Sequence, residues 1–320
     1  METTQVNRTV DAVWRMESAR LVAGLTRMTR DVGLAEELAQ DALVAALEQW
    51  PESGVPDNPG AWLMSVSKRR AIDLFRRNER LSQKINELGY DLQLREEAAG
   101  APDPDFIEDD VLRLVFMTCH PVLPTDGRVA LTLRLVGGLT TDEIGRAFLV
   151  SESTVAQRIV RAKRTLAEKR VEFEAPEPDE RPARLASVLE VVYLIFNEGY
   201  SATAGDDWTR PALCEDALRL GRVLATLAPR EPEVHGLVAL MEIQASRLRA
   251  RTAPDGTPIL LLDQNRALWD QLLIRRGLDA LAHAEKLGGP SEGAGPYAIE
   301  TATARLSSTT GDGSTLASVP

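Results

Sequence analysis

LTTDEIGRAFLVSESTVAQRIVRAKRTL, residues 139–166, reads as two short helices joined by a tight turn. Thr140 followed by Glu143 is a capping-box pattern, opening a helix that runs to about Phe148. Leu149 and Val150 make the turn, and Ser151 is a suitable N-cap for a second helix. At helical spacing Val155, Ile159, Ala162 and Leu166 share one narrow stripe, which is expected to be buried. Thr154, Gln157, Arg158, Arg161 and Arg164 lie opposite, a face with donors for base edges and phosphates and no carboxylate. A helix-turn-helix whose second helix carries such a face is arranged to read DNA. On this stretch alone, an ordinary helix hairpin with a solvated basic face stays open as the alternative.

The rest of the chain sets the context. Its 320 residues suffice for two or three domains with sizeable cores. A formal net charge of −11 argues against a protein that coats nucleic acid nonspecifically, yet the local field at a contact face decides docking. Charge is segregated: Lys68, Arg69, Arg70, Arg76, Arg77 and Arg80 crowd one segment, and Arg158, Arg161, Lys163, Arg164, Lys169 and Arg170 another. Cys119 and Cys214 cannot form a disulfide framework, which fits a reducing cytoplasm. No signal-peptide pattern opens the chain and no apolar run approaches a membrane span, so a soluble, cytoplasmic protein is expected. Abundant Ala, Leu, Arg and Glu with 5% aromatics favour an all-α fold.

In chain order, residues from about Val10 to Arg30 form an amphipathic helix with Val13, Trp14, Leu21, Val22 and Leu25 on its apolar side. After Gly33, LAEELAQDALVAALEQW (34–50) gives a second helix. Its apolar positions Leu34, Leu38, Leu43 and Leu47 share space with alanines, so neighbours can approach closely, whereas Glu36, Glu37, Gln40 and Asp41 make an acidic side. PESGVPDNPG (51–60) is a breaker-rich loop. In AWLMSVSKRRAIDLFRRNER (61–80), Leu63, Val66, Ser67, Ala71 and Leu74 form the core side. Trp62, Arg69, Asp73 and Arg76 share a flank away from it. A tryptophan beside arginines can stack on an unpaired base while the cations hold the backbone; a core aromatic near a helix start is the plainer reading of Trp62 alone. An acidic segment from about Asn86 to Asp110 reads as a linker. Val111 to Val136 then gives two helices interrupted at Pro121 and Pro124.

EFEAPEPDERPAR (172–184) is a second acidic, Pro-containing linker. Beyond it helical patterns recur in LASVLEVVYLIFNEGYSA, PALCEDALRLGRVLATLAP, EPEVHGLVALMEIQASRLRAR and NRALWDQLLIRRGLDALAHAEKL, interrupted by TAPDGTPILLLDQ with its PDG turn. From Gly288 a Gly, Ser, Thr and Ala-rich composition reads as a disordered end. No phosphate-cradling loop, nucleophile elbow or zinc-protease motif is present, so an enzyme is not expected and no cofactor is implied. Phe196 to Tyr200 reads as a helix end with Gly199 as C-cap. Cys119 and His120, with 2 cysteines and 3 histidines in the whole chain, are expected to pack or cap and not to ligate a metal.

Two DNA-competent helical segments joined by an acidic linker resemble an extracytoplasmic-function sigma factor of the sigma-70 family, over roughly residues 10–172. AEELAQDALVAAL is similar to that family's core-polymerase-binding helix, and Glu37, Gln40 and Asp41 fall at its contact positions. NPGAWLMSVSKRRAIDLFRR resembles the segment that melts and reads the minus-ten element, which implies DNA contacts from Trp62, Lys68, Arg69, Arg70, Arg76 and Arg77. Arg69 stands where many members have Asn, so minus-ten specificity does not carry over. The Leu139–Leu166 motif matches the helix-turn-helix that reads the minus-thirty-five element. There Gln157, Arg158 and Arg161 are candidates for base edges, and Thr154, Lys163 and Arg164 for phosphates. In the family the linker threads the polymerase's RNA exit path, and the acidity of Asp91 to Asp110 suits mimicry of a transcript.

VYLIFNEGYSA, FMTCHP and LRLVGGLTTDEI are close to the pattern of one subgroup with a long helical C-terminal extension. That extension normally continues into tetratricopeptide-like helices, and this chain departs from it after Tyr297. The organisation expected is a region-two domain (10–82), an acidic linker (83–108), a region-four domain (109–172), a linker (173–183), a helical extension (184–290) and a disordered tail (291–320). The resemblance implies bacterial core RNA polymerase and promoter DNA as partners and no membrane; no anti-sigma factor is evident, and the fused extension is expected to regulate. A stand-alone helix-turn-helix regulator is the first rival and a helical interaction scaffold the second.

Overall fold

The computed structural model describes residues 3–85, 104–201, 209–253, 257–288 and Tyr297; of residues 3–7, 78–85 and 104–109 it describes the helical backbone alone. The expected tail apart from Tyr297, and most of the acidic linker, lie outside the described residues. The fold is all-α: α1 (Thr3–Thr29), α2 (Val32–Ser53), α3 (Pro59–Ile85), α4 (Pro104–Thr118), α5 (Thr125–Leu135), α6 (Thr141–Phe148), α7 (Glu152–Glu168), α8 (Arg181–Tyr200), α9 (Pro211–Leu227), α10 (Pro232–Ala245) and α11 (Gln271–Gly288). Among the described residues extended pairing is limited to one isolated antiparallel bridge, Thr252 with Pro258, beside the turn read from TAPDGTP.

By contacts the chain divides into two units, one of 1–141 with 156–181 and one of 142–155 with 182–320. In the first unit α1 packs against α2, α3, α4 and α5. Val13, Trp14, Leu21, Val22 and Leu25 are all buried, as their helical spacing requires. Asp31 caps α2, its Oδ1 accepting from the backbone N–H of Gly33 (2.7 Å) and Leu34 (3.1 Å).

The buried face of α2 corrects the leucine stripe. Ala35, Ala39, Ala42, Ala45 and Ala46 are buried beside Leu38 and Trp50, whereas Leu47 is 40% exposed. The face is chosen by its alanines because small side chains let neighbouring backbones approach. Glu36, expected on the acidic side, is buried as well. The helix also runs through Pro51 to Ser53, so the loop begins later than expected. In α3, Leu63, Ser67 and Ala71 are buried, but Leu74 is exposed along with Ile72 and Phe75. Among the described side chains of α3, Ala71 is the last that is buried.

In the second unit α10 packs on α9 and α11, and VVYLIF is helical and largely buried within α8. Gly199 is not a C-cap. It lies inside α8, where a Cβ would sit 2.8 Å from both Cys214 N and Cys214 Sγ and 3.0 Å from Arg210 O. Only hydrogen at this position lets α8 meet the start of α9. Burial pushes the Cys214 thiol up to about 12. Among the described residues no helix is long and apolar enough to cross a membrane.

Candidate nucleic-acid interface

The helix-turn-helix is built by local rules. Leu149 N–H donates to Arg146 O (3.4 Å) and Val150 N–H to Gly145 O (3.0 Å), while Leu149 takes φ 50°. This is the Schellman arrangement, with a leucine in the left-handed position that glycine usually fills. A Cβ on Gly145 would stand 2.9 Å from Val150 O, so the tight turn requires glycine there. Ser151 Oγ accepts from Thr154 N–H (3.2 Å), capping α7.

Along α7, Val155, Ile159, Ala162 and Leu166 are each at most 5% exposed. Gln157, Arg161 and Arg164 are exposed, and Thr154, Arg158 and Lys163 are half-buried. The face is less free of carboxylates than its own sequence suggests. Asp126 of α5 pairs with Arg158 at 3.0 Å, and Glu168 with Arg164 at 3.2 Å. Lys163 is bound to Glu36 of α2, which also accepts from Arg134 Nε of α5 at 2.6 Å. Burial alone would raise the Glu36 carboxyl; the charges and hydrogen bonds of Lys163 and Arg134 outweigh it and hold the pKa below the ordinary value.

On α3, Asn58 Oδ1 accepts from Ala61 N–H (3.0 Å), and Pro59 takes the first helical position. Trp62 is half-buried and meets the buried Trp50 edge-on at 5.4 Å, so it is partly a packing residue. Ser67 Oγ donates to Leu63 O (3.0 Å) and reaches Leu38 O (3.3 Å), fixing α3 against α2. Arg69 Nη2 donates to Ser65 Oγ (3.1 Å), and Arg69, Arg76 and Arg77 are exposed, with Lys68 half-buried. Arg70 pairs with Asp41 at 3.1 Å across an exposed surface. Of the acidic candidates on α2, Glu37 and Asp41 are exposed and Gln40 half-buried.

Cys119 and His120 serve local structure: Cys119 Sγ lies 3.3 Å from Thr132 Oγ1, and His120 Nδ1 accepts from Val122 N–H (3.0 Å). Among the described residues no group of His, Cys, Asp and Glu could hold a metal ion.

Sigma-70 region 2 matches residues 14–81 and Sigma-70, region 4 matches residues 113–166. The ferric citrate uptake sigma factor FecI of Escherichia coli (strain K12) is 30% identical over 161 residues, 50% of this chain and 90% of that protein. The chain belongs to the extracytoplasmic-function branch of the sigma-70 family. The ECF RNA polymerase sigma factor SigK of Mycobacterium sp. (strain KMS) is 29% identical over 156 residues, 46% of this chain and 76% of SigK. An uncharacterized protein of Rhizobium meliloti (strain 1021) is 43% identical over 287 residues, 89% of this chain and 67% of the relative. The extension, residues 184–285, matches a family of unknown function (DUF6596). No solved structure matches the chain. A sigma factor is a non-enzymatic initiation factor that directs bacterial RNA polymerase to promoters, and most of α3 and of α7 falls in the segments matched as regions 2 and 4.

Glu36, Asp126 and Arg134 escaped the sequence reading. For Glu36 a signal existed: it stands one turn after Val32 and three residues before Ala39, both buried, so its helical position is a core position. For Asp126 and Arg134 no local pattern points at α7, because each reaches it through tertiary packing.

Proposed function

We propose that this sigma factor opens the minus-ten region with α3 and reads the minus-thirty-five major groove with α7, in the cytoplasm. Gln157, Arg158 and Arg161 contact base edges, and Thr154, Lys163 and Arg164 hold phosphates. Trp62, Lys68, Arg69, Arg70, Arg76 and Arg77 engage the opened strand, stacking and charge acting together. Glu37, Gln40 and Asp41 dock on the polymerase. This reading keeps the domain limits expected from the sequence, 10–82 for the first DNA-contacting domain and 109–172 for the second. The observation that carries it is the polar face of α7, with Gln157 and Arg161 exposed opposite a stripe of residues at most 5% exposed.

The extension at 184–290 acts on the helix-turn-helix. Within the second unit Arg210 Nη1 donates to Ala147 O (2.6 Å) in the last turn of α6 and is also bound to Glu198. A guanidinium at a helix C-terminus satisfies an orphan carbonyl and opposes the negative end of the dipole. The extension thus holds the last turn of α6, the first helix of the helix-turn-helix.

Run-off transcription with purified core polymerase on genomic DNA fragments tests the reading. New starts are expected when the protein is added, and none would refute it. Removal of the chain after Arg184 should change the output; unchanged output would remove the regulatory role of the extension.

A further inference from the structure

Within the second unit α8 ends at Tyr200, and this ring meets a cluster of cations. Arg251 Cζ lies 3.7 Å from the centre of the Tyr200 ring. Arg247 and Arg266 both stand over Trp269, at 5.2 and 5.3 Å from its ring centre. Arg247 is also hydrogen-bonded to Tyr200, so the five side chains form one continuous group. Local structure brings distant parts of the chain together here. Arg247 and Arg251 flank the short 3-10 turn Leu248–Ala250 that follows α10. Ile259 N–H donates to Arg251 O (2.7 Å) and Asp270 N–H to Ser246 O (2.9 Å), pinning residues 259–270 beside that turn. Asn265 Oδ1 accepts from Ala267 N–H (3.1 Å), capping the turn that carries Arg266.

Burial across the cluster is graded. Arg247 is 4% exposed and Trp269 5%, Tyr200 and Arg251 are half-buried, and Arg266 is exposed. Burial holds the Arg247 guanidinium below its ordinary value; Tyr200 opposes this, and the charges of Arg251 and Arg266 add to it. Like charges gathered away from water repel, and an anion among them turns that repulsion into attraction. Two donors mark where it would sit. Arg251 Nε and Trp269 Nε1 are buried with no hydrogen-bond partner among the described residues. Buried N–H groups are nearly always partnered, so each calls for an acceptor. Charge then selects the acceptor. A carboxylate brings a single charge and two oxygens, whereas a phosphate monoester brings about −1.5 to −2 and three strong acceptors. The second set matches guanidinium forks and an indole N–H converging from several sides. A nucleic-acid phosphodiester carries less charge per phosphate and is too bulky to reach Arg247 and Trp269.

We propose that Arg247, Arg251 and Arg266, with Tyr200 and Trp269, bind a phosphoryl group, as inorganic phosphate or a small phosphate monoester, and give the extension an effector site. Arg247 and Trp269 form its floor, Arg251 and Tyr200 a wall, and Arg266 its open side. Its regulatory consequence rests on the role of the extension proposed above. Arg210 N–H donates to Gly199 O (2.6 Å), next to Tyr200, and the Arg210 guanidinium is bound to Glu198 and to Ala147 O of α6. A ligand on Arg251 therefore acts on the same end of α8 that holds the helix-turn-helix. It shifts output by binding one state of that contact better than the other.

Calorimetric titration of the full chain at fixed ionic strength, with inorganic phosphate, methyl phosphate and acetate, tests the site. Saturable binding of phosphate or methyl phosphate is expected, with acetate far weaker, and the tighter of the two identifies the source. Arg251→Gln should lower that affinity about tenfold; Trp269→Phe, which keeps a ring and removes the N–H, should lower it about threefold. Arg249→Gln removes the same charge from an exposed neighbour outside the cluster and should leave affinity unchanged. Absence of binding, acetate binding as tightly as phosphate, or equal losses in Arg249→Gln and Arg251→Gln would overturn the site. Arg266→Gln, at an exposed position, carries the comparison if Arg251→Gln does not fold. Run-off transcription with the tighter ligand added reads the consequence: output changes in the parent and not in Arg251→Gln. Binding with unchanged output upholds the site and overturns its regulatory role. No binding, while removal of the chain after Arg184 still changes output, overturns the site and upholds the role of the extension.

Discussion

The two basic helices, α3 and α7, carry similar chemistry and dispose of it differently. On α3 the guanidiniums of Arg69, Arg76 and Arg77 are exposed, and Arg70 shares only an exposed pair with Asp41. On α7 Lys163 is drawn down to a carboxylate that is 10% exposed, and Arg158 is held by Asp126. Formal charge is therefore a poor guide to available charge. Whether a cation is free depends on how deeply its partner is buried, because solvent screens an exposed pair and not a buried one.

The contrast breaks most severely at Glu36. Glu36→Gln leaves Arg134 and Lys163 without their shared carboxylate, and a loss of about 3 kcal/mol is expected in urea unfolding of the full chain. A variant as stable as the parent would erase the distinction between the helices. The same group sets a pH dependence. Its carboxyl is held below the ordinary value of 4.5, so its stabilisation is fully present above that value and is lost as pH falls through the lowered pKa. Midpoints of the Glu36→Gln variant and the parent should converge in acid and differ at neutral pH. A gap independent of pH would assign the effect to packing.

Arg161→Ala comes next, with about 1–3 kcal/mol lost on particular minus-thirty-five sequences, read as run-off transcription from a set of promoter variants. Arg164→Ala, at a phosphate position, should weaken all of them alike. Equal behaviour of the two variants would remove the division of roles on α7. Ser151→Ala removes the cap of that helix and should cost about 1 kcal/mol in thermal unfolding. At the small end, Asp41→Asn breaks the exposed pair on α3 and is expected to cost less than about 0.5 kcal/mol in stability while lowering affinity for core polymerase. A stability loss matching that of Glu36→Gln would place both ion pairs in one class.

The structure separates what is local from what is distant. The α7 stripe, the Ser151 cap and the Leu149–Val150 turn were legible because each depends on residues within about one helical turn. On α2 the close approach expected from the alanines holds, with Ala39 and Ala42 fully buried beside Leu38, but the leucine stripe does not extend to Leu47, which is exposed. Leu74 failed for a related reason: helical periodicity places it on the core side, but whether a neighbour covers that position is decided by tertiary packing, and it is exposed. Gly199 looked like a stop and proved a point of close approach, since a glycine's role depends on what faces it and the facing group is Cys214.

The sequence by itself determined the helices, their order, the family and the polar face of α7, because hydrophobic period and capping are short-range properties of the chain. Tertiary structure alone decided which of those polar groups are already engaged. Glu36 and Lys163 stand 127 residues apart and Glu36 and Arg134 stand 98 apart. Pairing over such separations follows from which backbones the small residues allow to meet, and charge pattern along the chain carries no record of it.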